Sequence, residues 1–536
     1  MSIFVLILSI IWVVLVYRVY GRYVDRKIVQ SDPKKATPAV MYMDGVEFMP
    51  ANKNVLFGFQ FKSICGLGPV VGAIMAVNWG WLPAMLYLLL GVAFLGWVHD
   101  YTSTMVGIRK EGMSLGGMSY TLISPRARTL ISIFIYFNLM LSFGAFALFI
   151  AATLTKSTGP LGIIIWVLMG LLTGQMIYKW KQSIITTTLV TVIITFFGIF
   201  YLTSLEPVMA FFKAISGGDK PPIIFGVVNQ PTFIWVLAVL LFCYFGAVLP
   251  IWRWAQPINY LGFWVVFIGM IGIGLGVLFG NPSFGNFPAF KGWWWGNNPL
   301  WPMLFVTLMC GAVSGWHSLV GSSGTARMIE KETDTLPVAG GAMLLEMVMG
   351  MLALIIAVSA FGSFEGYAAA FKKGAGAVFS VGAANFLGNI GIPESSALDF
   401  SMILFAVFCF TGVLSTLWFL GGAFNQMLAS MALLIASCWL AYERKNYRFT
   451  LAPSIFLFVT TIAAAIWVSY GQIKHFFVTP NITTDRAIGD WLTGLIALFL
   501  VFCASVLIKD AFAAIRKFTS EKREAAPAPA PAGGAK

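Results

Sequence analysis

The sequence predicts an all-α polytopic membrane protein of roughly 13 to 15 transmembrane helices, with a five-plus-five inverted-repeat core and extra peripheral helices. Three observations predict it. The 536-residue chain is 59% hydrophobic and 10% charged, whereas a soluble domain carries about 25% charged residues. Apolar stretches of roughly 20 residues, the length that crosses hydrocarbon, recur from Ser2 to about Lys509. Two of these stretches carry helix-breaking sequence at a depth where an unpaired backbone amide is costly.

Taken in order, the apolar spans run 2 to 20, 55 to 78, 81 to 106, 129 to 154, 161 to 178, 183 to 203, 233 to 252, 258 to 280, 300 to 322, 338 to 361, 400 to 420, 424 to 442, 449 to 470 and 490 to 508. The first lacks a basic leader and an A-x-A-like cleavage site, so it reads as a retained helix. Six cysteines (Cys65, Cys243, Cys310, Cys409, Cys438, Cys503) lie in apolar segments without C-x-x-C spacing and read as packing residues. The net charge of +13 comes from basic residues between spans, not from one patch, which argues for topology and against nucleic acid.

Placing the basic loops in the cytoplasm puts the C-terminus inside and the N-terminus outside, which needs an odd number of crossings. Fourteen is even. Either the glycine-rich segment Gly374 to Ile392 enters the membrane or the tract 400 to 442, interrupted at Gly421-Gly422, crosses once. The organisation then reads as a peripheral helix and loop over 1–50, a first repeat over 51–210, a second over 225–422, additional helices over 423–515 and a disordered Ala/Pro tail over 516–536.

The first break is Cys65-Gly66-Leu67-Gly68-Pro69 and the second Gly246-Ala247-Val248-Leu249-Pro250. Glycine and proline also kink or pack membrane helices without binding anything. If the first span is peripheral, the two breaks fall in corresponding helices of two opposed repeats. In that transporter pattern, solute sits at the exposed helix ends, and Gly66, Leu67, Gly68, Pro69, Gly246, Ala247 and Pro250 become substrate-site candidates. Ser322 and Ser323 either join free carbonyls near Cys65 to Gly68 in an oxygen cage for Na+, line a solute path, or terminate a helix. Lys62 precedes the first break and either replaces a coupling cation with a fixed positive charge, pairs with a carboxylate, attracts an anionic substrate, or snorkels to the cytoplasmic face. His317, also a candidate for the substrate site, and Glu346 suit a proton relay or an interhelical hydrogen bond. His99 and Asp100, followed by Arg109 and Lys110, read as an interfacial ion-pair cluster.

The chain resembles the carbon starvation protein A (CstA) family of bacterial inner-membrane transporters. The resemblance rests on Asp44-Gly45-Val46-Glu47-Phe48, Asn54-Val55-Leu56-Phe57-Gly58, Gly66 to Gly72, His99-Asp100 and Gly112 to Gly116. It resumes at Gly315 to Thr325, Glu330 to Asp334 and Phe424 to Ala429. It implies a LeuT/APC-like fold and multi-pass insertion in the inner membrane. The substrate it implies is a short peptide or pyruvate taken up during nutrient limitation. The chain departs from the family pattern at Phe59 and Gln60, where relatives typically carry two histidines, and at Lys62, where they carry a small residue. A Thr-x-Leu-Asp-Thr-like family segment after the eleventh span is absent.

No G-x-x-x-x-G-K-[ST] loop is present, which argues against a self-contained ATP-driven pump, and no H-E-x-x-H or G-x-S-x-G suggests an enzyme. The residues therefore predict a secondary transporter of a small solute, with Na+ or H+ coupling or an internal Lys62 charge and no cofactor, and the resemblance implies that the solute is a short peptide, an amino acid or pyruvate. A nutrient sensor that binds without moving its solute is the alternative of another class.

Overall fold

The computed structural model describes residues 1–154, 159–202, 205–215, 223–224, 228–394, 396–398, 400–402, 415–478 and 484–520. The Ala/Pro tail beyond 520, Cys409 and most of the expected 400 to 420 span lie outside them. Among the described residues nine helices are long and apolar enough to cross a membrane, or up to ten with one bent pair. This is fewer than the fourteen spans read from hydropathy. Part of the difference is length: Ile184–Phe200 and Ala375–Gly388 are apolar but short.

The helix α1 (Ser2–Val29) packs on the bundle, where Trp12 Nε1 donates to the Leu89 carbonyl at 2.9 Å. The bent pair follows as α2 (Lys53–Ile64) and α3 (Leu67–Trp79), inclined by 45°. Asn52 starts α2 by accepting the Asn54 amide on its side-chain oxygen at 2.9 Å, satisfying one of the donors a helix start leaves free. Gly80, at φ 112°, turns the chain into α4 (Trp81–Arg109), and a Cβ there would strike the Ala289 and Phe290 backbone.

Helices α5 (Pro125–Leu154), α6 (Pro160–Lys179), α7 (Ile184–Phe200) and α8 (Gln230–Val248) precede α9 (Ala255–Gly280). Only 11% of the apolar window of α8 is buried, the pattern of a helix facing lipid. A second interrupted helix follows as α10 (Leu300–Thr307), α11 (Met309–Ala312) and α12 (Gly315–Ser323). The centre of the bundle is α13 (Glu332–Ser359), 89% buried over its apolar window and packed on α2, α3 and α4. Then come α14 (Ala375–Gly388), α15 (Ser415–Tyr442), α16 (Arg448–Val478) and α17 (Thr484–Ser520).

The structure bears on both solutions of the parity problem. Through Gly421-Gly422 the chain is uninterrupted helix, because Gly422 lets α15 close on the Val306 carbonyl. The glycine-rich segment forms α14, which packs on Gly276 and Gly280 of α9 and on α13.

Candidate functional site

Two helix interruptions meet at one buried point. In α2 the last helical residue is Ile64. Cys65 (φ −76°, ψ 79°) and Gly66 (φ −100°, ψ −147°) leave the helical region, and Leu67 restarts it. Pro69 falls in the first turn of α3, where a missing N–H removes no hydrogen bond. Residues Cys65, Gly66, Leu67, Gly68 and Pro69 are all buried.

The second interruption is at Val313 (φ −167°, ψ 138°) and Ser314 (φ −142°, ψ 132°), between α11 and α12. Gly68 and Gly72 bring the two together. A Cβ on Gly68 would overlap Cys310, and one on Gly72 would press on the Thr307 carbonyl at 2.5 Å. The interruptions are also bonded: Trp316 Nε1, on α12, donates to the Ser63 carbonyl at 2.9 Å. Asn425 of α15 closes the start of α12, its Oδ1 accepting the Trp316 amide at 2.9 Å and its Nδ2 donating to Ser314 Oγ at 2.9 Å.

The expected second break at Gly246 to Pro250 is corrected by this geometry. Helix α8 runs unbroken through Gly246 and Ala247, both exposed, and ends at Val248 because Leu249 turns extended (φ −88°, ψ 151°). Pro250 lies in the turn before α9. These residues therefore form the connection from α8 to α9, with Gly246 beside the Trp254 side chain, whereas the interruption that meets the Gly66–Pro69 break is Val313-Ser314.

Beside the crossing runs a row of ionisable groups, each with 0% side-chain exposure. His99 Nδ1 lies 2.7 Å from Asp100 Oδ1, His317 Nδ1 lies 2.9 Å from Asp100 Oδ2, and His317 Nε2 lies 3.4 Å from Glu346 Oε2. The row joins α4, α12 and α13. His317 and Glu346, named from sequence, are neighbours. The expectation of an interfacial cluster at His99 and Asp100 is overturned: both are buried, Asp100 joins His99 to His317, and Arg109 pairs instead with Glu332 at 2.6 Å. Cys310, expected to be mere packing, lies with His317 and Glu346 so that one ligand atom from each falls within 4.8 Å of the others, a spacing able to hold a metal ion.

Lys62 does not snorkel. It is 1% exposed, with its ammonium 5.9 Å from the Trp166 ring centroid and its stem beside Gly262 of α9. Ser322 Oγ and Ser323 Oγ donate to the carbonyls of Ser318 and Leu319 on their own helix at 2.6 and 2.5 Å. Both hydroxyls thus bond within α12, in keeping with the helix-terminating role among the three the sequence left open. Gln60 accepts the Thr325 hydroxyl.

Below the crossing, the loop before α2 lies across the bundle. Asp44 Oδ1 accepts the amides of Val46, Glu47 and Phe48 at 2.7, 2.9 and 3.0 Å, which holds its carboxyl below the usual aspartate range. Trp252 Nε1 donates to the Gly45 carbonyl at 3.0 Å, Arg327 pairs with Glu47, and Ala51 bridges to Ile329. The loop thereby ties the start of α2 to the turns on either side.

The family described as carbon starvation protein CstA matches residues 1–381 and 395–464. The chain belongs to this family. It is 31% identical over 366 residues to a protein named peptide transporter CstA in Bacillus subtilis (strain 168), covering 66% of this chain and 58% of that protein. It is 30% identical over 370 residues to one named pyruvate/proton symporter BtsT in Escherichia coli (strain K12), covering 66% and 49%. A protein named peptide transporter CstA in the same strain is 29% identical over 376 residues, covering 66% and 50%. The matches thus span about half the length of these curated relatives. Among solved structures, MhsT in complex with L-phenylalanine aligns at TM-score 0.40 and 15% identity over 87% of this chain and 99% of that one. A manganese transporter of Eremococcus coleocola aligns at 0.39 and 13%, over 89% and 99%.

Proposed function

We propose that this chain is a secondary transporter of the bacterial inner membrane that imports a small organic nutrient bearing a carboxylate, a short peptide or amino acid, by alternating access. The observation that carries the reading is the meeting of two interrupted helices at one buried point, joined by Trp316 and Ser63. Non-helical backbone at membrane depth persists where it is enclosed in protein or lines a solute site. The first amides of α3, on Leu67 and Gly68, have no carbonyl within the helix, and a helix N-terminus favours a carboxylate.

In this reading the core is a LeuT/APC-like pair of repeats. The two interrupted helices, α2 with α3 and α10 to α12, are its corresponding elements. Helices α1, α16 and α17 are peripheral. The end that carries the Asp44 loop and its neighbouring basic residues faces the cytoplasm, as does the C-terminus, and the N-terminus faces the periplasm. His317 stands beside the solute, and Lys62 and Glu346 are the buried charged groups available for coupling.

A second reading, uptake of pyruvate with a proton, is favoured by the likeness to the Escherichia coli relative named for that activity. Both readings place a carboxylate at α3. Accumulation of labelled dialanine, alanine or pyruvate in proteoliposomes, with and without an imposed pH or Na+ gradient, separates them. Binding without accumulation would replace both by the sensor.

A further inference from the structure

We propose that Cys310, His317 and Glu346 form a binding site for one divalent transition-metal ion of the zinc type. The inference goes beyond the transport reading, with which it shares His317 and Glu346, and rests on the geometry of three side chains on three helices, α11, α12 and α13.

The spacing suits an ion. Ligand atoms of the three residues lie within 4.8 Å of one another, and His317 Nε2 and Glu346 Oε2 are 3.4 Å apart. Tetrahedral zinc, with bonds to nitrogen and oxygen of about 2.0 to 2.2 Å, separates two such ligand atoms by roughly 3.4 Å. Cys310 Sγ, which donates to Ser314 Oγ at 3.6 Å and accepts from Asn425 Nδ2 at 3.9 Å, supplies the third corner of the face.

The imidazole is also oriented for the role. Asp100 Oδ2 lies 2.9 Å from His317 Nδ1, so a proton on Nδ1 is held there and Nε2 is the ring nitrogen turned toward Glu346. Asp100 is in turn held by His99 Nδ1 at 2.7 Å. A carboxylate behind a histidine is the arrangement that fixes the tautomer of metal-bound imidazoles.

Three of the atoms concerned have no other use in the fold. His317 Nε2, Glu346 Oε1 and Glu346 Oε2 are buried and have no hydrogen-bond partner among the described residues. Leaving such groups unpaired in the interior costs free energy that coordination would offset. The donor set of thiolate, imidazole and carboxylate selects zinc-type ions over Mg2+, Ca2+ or Na+, which prefer all-oxygen cages. Binding releases the Cys310 thiol proton to water. The two charges of the ion are then matched by the thiolate and the Glu346 carboxylate, which suits a site at membrane depth. Three protein ligands leave a fourth position open.

The test uses the full-length chain in detergent. Competition with a chromogenic chelator should give one Zn2+ per chain, and Cys310→Ser and His317→Gln should each weaken it at least tenfold. Cys438→Ser, at a buried thiol against the Ala511 carbonyl, should leave it unchanged. Co2+ added to the unmodified protein should give a thiolate-to-cobalt charge-transfer band that saturates at one equivalent, a readout that needs no variant to fold. Absence of that band, or equal Zn2+ affinity in the wild type, Cys310→Ser and His317→Gln, overturns the proposal and leaves an adventitious ion only.

Discussion

Trp316 Nε1 donates to the carbonyl of Ser63 at 2.9 Å, so the group that the first helix interruption sets free is satisfied by the residue that follows the second. A freed carbonyl at membrane depth is expensive without such a partner. Trp316→Phe keeps the ring and removes the donor. It should lower stability by about 1 to 3 kcal/mol, the cost of an unsatisfied buried acceptor, read as a fall in detergent melting temperature, and it should slow uptake. An unchanged melting temperature would show that this bond does not hold the two helices together.

Gly68 and Cys310 touch where α3 meets α11, and a Cβ at Gly68 would overlap the cysteine side chain. Gly68→Ala should therefore destabilise the bundle by about 1 to 3 kcal/mol, the usual range for overpacking. Removing the obstruction in the same chain, as Gly68→Ala with Cys310→Gly, should recover part of the loss. A double-mutant cycle with no coupling would contradict the contact.

Lys62→Met keeps the stem beside Gly262 and Trp166 and deletes the charge. If Lys62 supplies a fixed charge in place of a coupling cation, the variant should fold with little loss of melting temperature yet show a changed dependence of uptake on Na+ or pH. Transport and cation dependence identical to the unmodified protein would end that assignment.

The loop at Asp44 carries a pH dependence of definite sign. Its carboxyl is held below the ordinary 3.8 by the amide of Val46 first and those of Phe48 and Glu47 after it. A carboxyl depressed in the folded state stabilises above its unfolded value, and the contribution fades as pH falls through the folded value. Amides of Val46, Glu47 and Phe48 should thus exchange more slowly than in Asp44→Ala at neutral pH. The two proteins should converge only below the ordinary aspartate range. Equal exchange at neutral pH would show that the carboxylate does not order the loop.

The first break was legible in the sequence because glycine and proline act locally: two glycines and Pro69 within five residues of an apolar run cannot continue a helix. The second was misplaced for the same reason, since Gly246 and Pro250 carry the stronger local signal. Val313-Ser314 is opened by tertiary partners: Asn425, more than a hundred residues away, supplies the cap for α12. Burial of His99 and Asp100 was equally hidden. A His-Asp pair at the end of a span reads as interfacial until α12 brings His317 against it. In the structure the whole run Trp97 to Ile108 is buried, which its mixture of polar and apolar residues does not announce.

The central claim, that a carboxylate-bearing solute is carried past the start of α3, is tested most directly by competition in proteoliposomes. Labelled dialanine and labelled pyruvate are each offered alone, then with an excess of the unlabelled acid or of its amide. The account predicts saturable accumulation of at least one of them, suppressed by the free acid and untouched by the amide. Equal suppression by acid and amide, or bound label that is never accumulated, would contradict it.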